Sequence, residues 1–130
     1  MAYKYGVVLR TNQVAQIQAS VGASGTLKIF SGAEPANCAA ADPSGLLCTI
    51  TLPATFLTST NGVTTIAGTW QAVASAGGSG TNAQSFRMYD GASVCHVQGD
   101  TITDMVLNNQ SIATGQTVTV TQFSVTAGNA

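Results

Sequence analysis

The chain has 130 residues, of which 45% are hydrophobic, and it carries only four basic and five acidic side chains, for a formal net charge of −1. The apolar content excludes a chain that is disordered for lack of hydrophobic residues, and no apolar run approaches the ~18 residues of a membrane span. The four scattered basic residues make nucleic-acid binding a poor hypothesis, because that affinity comes largely from neutralised phosphates.

The N-terminus does not resemble a secretion signal. Its apolar stretch, residues 6–9, is bounded by Lys4 and Arg10, whereas the hydrophobic region of a signal needs about 7–15 residues. We therefore expect that synthesis takes place in a cytoplasm. Residues 2–9 are predicted to form an arm that either packs on its own sheet or contacts a neighbouring subunit, with four candidate interface residues: Tyr3, Tyr5, Val7 and Leu9.

A short helix is predicted over residues 13–21, capped by Thr11 or Asn12. Three apolar residues recur at helical spacing on one face, namely Val14, Ile17 and Val21. Gly22 supplies the stop signal. Arm and helix together occupy about residues 1–22.

The rest of the chain reads as strands and turns. Asn61-Gly62 and Asp90-Gly91 are hairpin-turn signals, and a bulge near Gln122 would restore the alternation of the last strand. The predicted strands cover residues 26–30, 46–52, 63–66, 69–74, 83–89, 93–98, 104–107 and 117–126. About eight short strands predict an all-β sandwich or jelly roll, organised as one domain over residues 1–130.

The three cysteines are Cys38, Cys48 and Cys95, and Cys38 lies in a loop over residues 33–45. With one histidine in the chain and no CxxC pair, they are a poor zinc site. A cytoplasmic origin favours free thiols. The alternatives are a Cys38–Cys48 disulfide or a bond between subunits, with Cys38 as a further candidate interface residue.

Few residues offer catalytic chemistry. Strict alternation would place Cys95 and Val97 on one face of a strand and His96 on the other, which makes Cys95 and His96 a poor nucleophile–base pair.

The acidic residues of the turns are better explained by turn hydrogen bonds than by a weak calcium site; they are Asp90, Asp100 and Asp104. Trp70, Phe86, Tyr89 and Phe123 are assigned to the core rather than to a carbohydrate-binding surface. We predict no catalytic residue, cofactor or metal.

Several short segments resemble a family of small virion proteins of tailed bacteriophages. The segment at residues 28–37, KIFSGAEPAN, is similar to that family's pattern, as are residues 68–70 (GTW), 85–87 (SFR) and 97–99 (VQG). Towards the C-terminus the similarity continues through residues 104–109 (DMVLNN), 112–116 (IATGQ) and 118–130. It spans nearly the whole chain and includes no catalytic signature.

The resemblance implies a small β-domain that serves as a structural part of a virion. A capsid decoration protein that clamps the major capsid protein on the head surface is the first expectation, as a small homo-oligomer that is expected to be a trimer. The scarcity of charge agrees with a surface covered by neighbours. The alternatives are a tail, neck or fibre-associated structural protein and a module that binds glycan or a host surface.

Overall fold

The fold is described by a computed structural model of residues 4–128. One helix precedes eleven strands, and all strand pairs are antiparallel. The elements are α1 (Val7–Val21), β1 (Thr26–Phe30), β2 (Leu46–Thr51), β3 (Leu57–Thr60), β4 (Val63–Ile66), β5 (Gln71–Val73), β6 (Thr81–Asn82), β7 (Ser85–Tyr89), β8 (Cys95–Asp100), β9 (Met105–Leu107), β10 (Ser111–Ile112) and β11 (Thr117–Thr126). The predicted all-β sandwich with one helix is confirmed, with more strands than the eight expected.

One sheet has the strand order β2-β1-β7-β8. Its central pair places Ile29 opposite Phe86 and Lys28 opposite Arg87. Because side chains alternate along a strand, the first of these pairs faces the core and the second faces away from it. This sheet therefore has an apolar inner face and a polar outer face.

The second sheet is built around β11. It contains β3 and β4, which form a hairpin at Asn61-Gly62, together with β5 and β9. Asn61 and Gly62 both have positive φ, 52° and 77°, as the hairpin turn predicted from this dipeptide requires. The predicted bulge is also present, because the register of β11 against β9 shifts between Val120 and Gln122. A separate pair, β6 and β10, lies beside these sheets.

Aromatic rings join the two sheets in the core. Phe86 of β7 meets Phe123 of β11 edge to face, with ring centroids 5.7 Å apart. Trp70 packs against Phe123 at 5.7 Å and against Phe56 at 5.8 Å. The indole N–H donates to the carbonyl oxygens of Phe56 and Ala67, so its one polar atom is satisfied in the interior.

The helix begins earlier than predicted. Its first residue is Val7, preceded by Gly6, which makes no side-chain cap. Thr11, expected as a cap, instead lies inside the helix, where its hydroxyl donates to the Val7 carbonyl at 2.8 Å and accepts from the Gly62 N–H at 2.8 Å. The hydroxyl therefore ties the helix to the β3–β4 turn, and the capping prediction is wrong.

The helix packs against β8 of one sheet and against β3 and β4 of the other. Val14 and Val21 are buried and Ile17 packs against the core, which confirms the predicted face. The Leu57 N–H at the start of β3 donates to Gln18 Oε1 at 2.7 Å. The helix thus covers the side of the sandwich where β8 and β3 lie.

Candidate functional site

The outer face of the β1–β7–β8 sheet is covered by the loop over residues 33–45, which we call the covering loop. Arg87 points outward from β7 and is only 2% exposed, although it is charged. Its Nη1 donates to Asp42 Oδ1 at 2.9 Å and its Nη2 donates to the Asn37 carbonyl at 3.0 Å. A buried guanidinium needs such partners, because an uncompensated charge in the interior is strongly unfavourable.

Tyr89 makes the second attachment to Asp42. Its hydroxyl donates to the same carboxylate oxygen that receives Arg87. The Tyr89 hydrogen bond and then Arg87 hold the pKa of Asp42 below its ordinary value, against the opposing effect of burial. Burial, followed by the hydrogen bond to Asp42, raises the pKa of Tyr89 to about 12. Asp42 therefore stays ionised and Tyr89 stays protonated near neutral pH.

Gln98 fastens the start of the covering loop. Its Nε2 donates to the Pro35 carbonyl at 2.7 Å, and its Oε1 accepts from Arg87 Nε at 3.2 Å. Lys28 Nζ lies 4.9 Å from the centre of the Tyr89 ring, within the range of a cation–π contact. The loop, expected as a candidate for contacts between subunits, is thus fixed at several points to its own sheet.

The cysteines are arranged differently from the predicted alternatives. Cys48 is fully buried, and its Sγ contacts the Ala72 carbonyl at 3.9 Å. Cys38 and Cys95 are half-buried, and their Sγ atoms lie 2.8 Å apart. All three cysteines are free thiols in the structure, as the sequence favoured. The alternative of a Cys38–Cys48 disulfide is wrong, because Cys48 faces the core while the covering loop brings Cys38 to β8.

A bulge in β8 explains why alternation misplaced Cys95. The β7–β8 register pairs Met88 with Val97 but Tyr89 with Cys95, so His96 is the additional residue. As a result Cys95 faces the covering loop while Val97 packs against the core. The prediction that these two residues share a face is wrong.

His96 has a partner in the preceding turn. Its Nε2 lies 2.9 Å from Asp90 Oδ2. The other carboxylate oxygen of Asp90 accepts hydrogen bonds from the N–H groups of Ala92 and Val94. The hydrogen bond with His96, followed by these backbone hydrogen bonds, lowers the pKa of Asp90. Since Cys95 Sγ contacts Cys38 and the Val97 carbonyl, the structure forms no Cys95–His96 pair.

Three acidic side chains converge near the end of β8. Carboxylate oxygens of Glu34, Asp100 and Asp104 lie within 4.8 Å of one another. Asp100 accepts hydrogen bonds from the Ile102 and Thr103 N–H groups, and Asp104 accepts from the Asp100 N–H. The hydrogen bonds from Thr103, followed by that from the Ile102 N–H, lower the pKa of Asp100 to about 2. Hydrogen bonds within the turn thus account for Asp100 and Asp104 in the way the sequence predicted.

The candidate interface residues at the N-terminus lie at and before the start of the helix. Tyr3 is outside the described residues, and Tyr5 is half-buried with its carbonyl accepting from Arg10 Nε at 3.1 Å. Val7 and Leu9, predicted in an arm, are in the first turns of α1 and are 44% and 49% exposed. Val8, between them, is 71% exposed.

The aromatic residues considered for carbohydrate binding are inaccessible. Trp70 is 0% exposed and Tyr89 is 5% exposed, so neither ring can stack on a sugar at the surface. This confirms their assignment to the interior.

The Arg87–Asp42 pair was not predicted from the sequence. The available signal was a lone arginine between the apolar residues Phe86 and Met88, because a charged residue at such a position needs a partner. Nothing in the sequence singled out Asp42 as that partner.

In the described part of the chain, no helix has the length and apolar character needed to cross a membrane. No protein-family model matches the sequence. Comparison with curated proteins found no match. Comparison with solved structures likewise found no match.

Proposed function

We propose that this chain is a non-enzymatic structural protein of a tailed-bacteriophage virion, and specifically a decoration protein on the head surface. It would act as a small homo-oligomer, with a trimer expected, and would bind the major capsid protein. The proposal rests on the resemblance of the short segments above and on one structural observation, the use of its few charged side chains.

Most of those charged side chains are engaged within the subunit. Arg87 pairs with Asp42, Asp90 pairs with His96, and Asp100 and Asp104 accept hydrogen bonds from their own turn. Because so few residues are charged, neutral polar and apolar groups dominate the surface of the described residues. A free monomer relies on a mixed charged surface for solubility, so this surface supports a subunit that is covered by neighbours.

Exposed apolar side chains occur on several separate elements. Val8 at the start of the helix, Val73 in β5 and Ile102 after β8 are 71%, 62% and 70% exposed. Single exposed apolar residues are ordinary on protein surfaces. Their distribution over different elements agrees with a subunit that touches more than one neighbour, where symmetry multiplies modest contacts.

Labelling of intact particles of the encoding phage tests the proposal. Immunogold labelling with an antibody against the chain should cover the head evenly, and quantitative mass spectrometry should give hundreds of copies per particle. Label confined to the tail, neck or fibres, with tens of copies, would replace head decoration by the alternative structural role. Absence of the chain from purified particles would overturn both.

The helix start is the proposed contact surface, and a single substitution tests it. Val8→Asp should reduce binding to undecorated heads at least tenfold if Val7, Val8 and Leu9 enter an interface. An acidic residue in the first turn of a helix is favourable for its dipole, so this variant should still fold. Gln16→Glu is the matched control, because it adds the same charge to an exposed position of the same helix and should bind like the parent chain.

Equal binding by the parent chain and Val8→Asp would remove the helix start from the interface. A substitution serves better than deletion of residues 2–9, because such a deletion would also remove the beginning of α1.

A further inference from the structure

Two thiols that are distant in the chain lie side by side on the outer face of the β1–β7–β8 sheet. Cys38 and Cys95 are 57 positions apart, yet their Sγ atoms are separated by only 2.8 Å. Neither is fully buried, whereas Cys48 is 0% exposed. The chain thus has one adjacent and reachable pair of thiols and a third thiol enclosed in the core.

The contact between these thiols is held by groups other than the cysteines. On one side of Cys38, the Pro35 and Asn37 carbonyls accept hydrogen bonds from Gln98 and Arg87. On the other side, Asp42 accepts from Arg87 at 2.9 Å. Because the covering loop is attached on both sides of Cys38, little additional ordering is needed to bring the two sulfur atoms together.

We propose that Cys38 and Cys95 form an intrachain disulfide when the chain meets a low-molecular-weight disulfide such as oxidised glutathione. The thiolate of one cysteine attacks a glutathione sulfur, which forms a mixed disulfide and releases one glutathione thiolate. The second cysteine, as thiolate, then attacks the protein sulfur of that mixed disulfide and displaces the second glutathione. Two protein thiols are oxidised, one glutathione disulfide is reduced to two thiols, and the two protons pass to solvent or to the released thiolates.

The environment of the pair makes the exchange pH-dependent. Burial, followed by the hydrogen bond with Cys38, raises the pKa of Cys95 to about 12. Because the thiolate is the reacting form, attack by Cys95 becomes faster as the pH rises. Whichever cysteine forms the mixed disulfide, the sulfur atom of the other lies beside it.

The bond would fix the covering loop covalently to β8, above the Arg87–Asp42 pair. It would also close a long segment of the chain, which stabilises a fold chiefly by restricting its unfolded state. This inference does not depend on the virion assignment. An oxidising environment outside the cell is where such a bond would persist.

Thiol counting on the full-length protein tests the pairing. After equilibration with an excess of oxidised glutathione, denaturation and alkylation should label one thiol in the parent chain and none in Cys48→Ala. In Cys38→Ser and Cys95→Ser the remaining reachable thiol has no partner to resolve its mixed disulfide, so the intact mass should show a glutathione adduct that the parent chain lacks. Variants are needed because trypsin has no cleavage site between Lys28 and Arg87. One tryptic peptide therefore contains both Cys38 and Cys48.

Thermal unfolding gives a second, independent readout, because it measures the effect of the Cys38–Cys95 bond on stability. Reduction of the oxidised parent chain should lower its Tm by on the order of 10 °C. Cys48→Ala should show the same decrease even if its core is less stable. Cys38→Ser should show none, because it has no Cys38–Cys95 bond to reduce.

Other outcomes contradict the proposal. Three labelled thiols after oxidation of the folded parent chain, a stable glutathione adduct of the parent chain, or a bond that requires Cys48 would each overturn it. A covalent dimer that disappears in Cys38→Ser would show that the thiol pairs between subunits instead.

Discussion

Arg87 Nη1 donates to Asp42 Oδ1 at 2.9 Å, and the two side chains differ widely in exposure. The arginine side chain is 2% exposed and the aspartate side chain is 45% exposed. The two partners therefore respond differently to loss of the other. Asp42 can exchange its ion pair for water, whereas Arg87 is enclosed between the sheet and the covering loop. The inequality predicts which substitution is the more damaging.

Asp42→Ala should destabilise the protein more than Arg87→Met. The first leaves a buried guanidinium without its carboxylate. Removal of one partner from a fully buried pair costs about 3–5 kcal/mol, which is the upper limit here because Asp42 is half-exposed and Arg87 keeps Asn37 and Gln98 as acceptors. The second leaves a half-exposed carboxylate that water can solvate, for which about 1–2 kcal/mol is expected. Urea denaturation of the two variants measures the difference.

The double variant Asp42→Ala/Arg87→Met is the control for this argument. It should be more stable than Asp42→Ala alone, because no buried charge remains, and the two effects should be non-additive. Equal losses from the two single substitutions, or additive effects, would show that the covering loop opens and hydrates Arg87 when Asp42 is lost.

Tyr89 should ionise late in an alkaline titration. Its pKa is raised to about 12 from an ordinary value of 10.0, mainly by burial. A raised folded-state pKa contributes stability that is complete below pH 10 and is lost as the pH rises towards 12. The difference in ultraviolet tyrosinate absorbance between the parent chain and Tyr89→Phe isolates this group and should develop well above pH 10. A difference that is already complete near pH 10 would contradict the prediction.

The strands that can be predicted from the sequence are those whose pattern and turns agree. β1, β4 and β11 have the predicted limits, because alternating β-formers lie between clear turn residues. The two-residue strands β6 and β10 were missed, since they contain no full alternation. β3 was missed as well, because Leu57 is its only fully buried residue.

The candidate site was less predictable because it depends on tertiary contacts. Strict alternation places Cys95 and Gln98 on opposite faces of β8. The additional residue His96 places them on the same face, and a strict period of two cannot show such a bulge. The partnership of Asp42 with Arg87 joins positions 45 apart in the chain. The helix start was misplaced because the apolar residues Val7, Val8 and Leu9 carry no capping signal and do not lie on the buried face.

Gly99→Ala should be destabilising, because the glycine lies where β8 passes close to the core. A Cβ at this position would lie 2.7 Å from Phe86 Cε1 and 2.8 Å from Asp104 Oδ2. Phe86 packs edge to face against Phe123, so its ring cannot move without disturbing the contact between sheets. We expect a loss of about 1–3 kcal/mol in the free energy of unfolding, measured by urea denaturation.

Gly128→Ala is the matched control, since its added Cβ meets no atom within 4 Å. It should change the free energy of unfolding by less than about 0.5 kcal/mol. If Gly99→Ala behaved like this control, the ring of Phe86 would have to relax freely, and its role in joining the sheets would be smaller than its packing indicates.

Asp100 should contribute to acid sensitivity through its turn. Hydrogen bonds from Thr103 and Ile102 lower its pKa from 3.8 to about 2, so the folded state binds the proton less readily than the unfolded chain. Its contribution to stability is therefore complete above about pH 4 and is lost as the pH falls towards 2. Asp100→Asn keeps the shape of the side chain without the ionisable group, and its free energy of unfolding should fall less steeply over this interval than that of the parent chain. Asp90→Asn is the comparison for a second turn, because His96 first and backbone N–H groups next also lower the pKa of Asp90. Identical acid profiles for the parent chain and Asp100→Asn would show that the unfolded chain retains the same turn and binds the proton equally well.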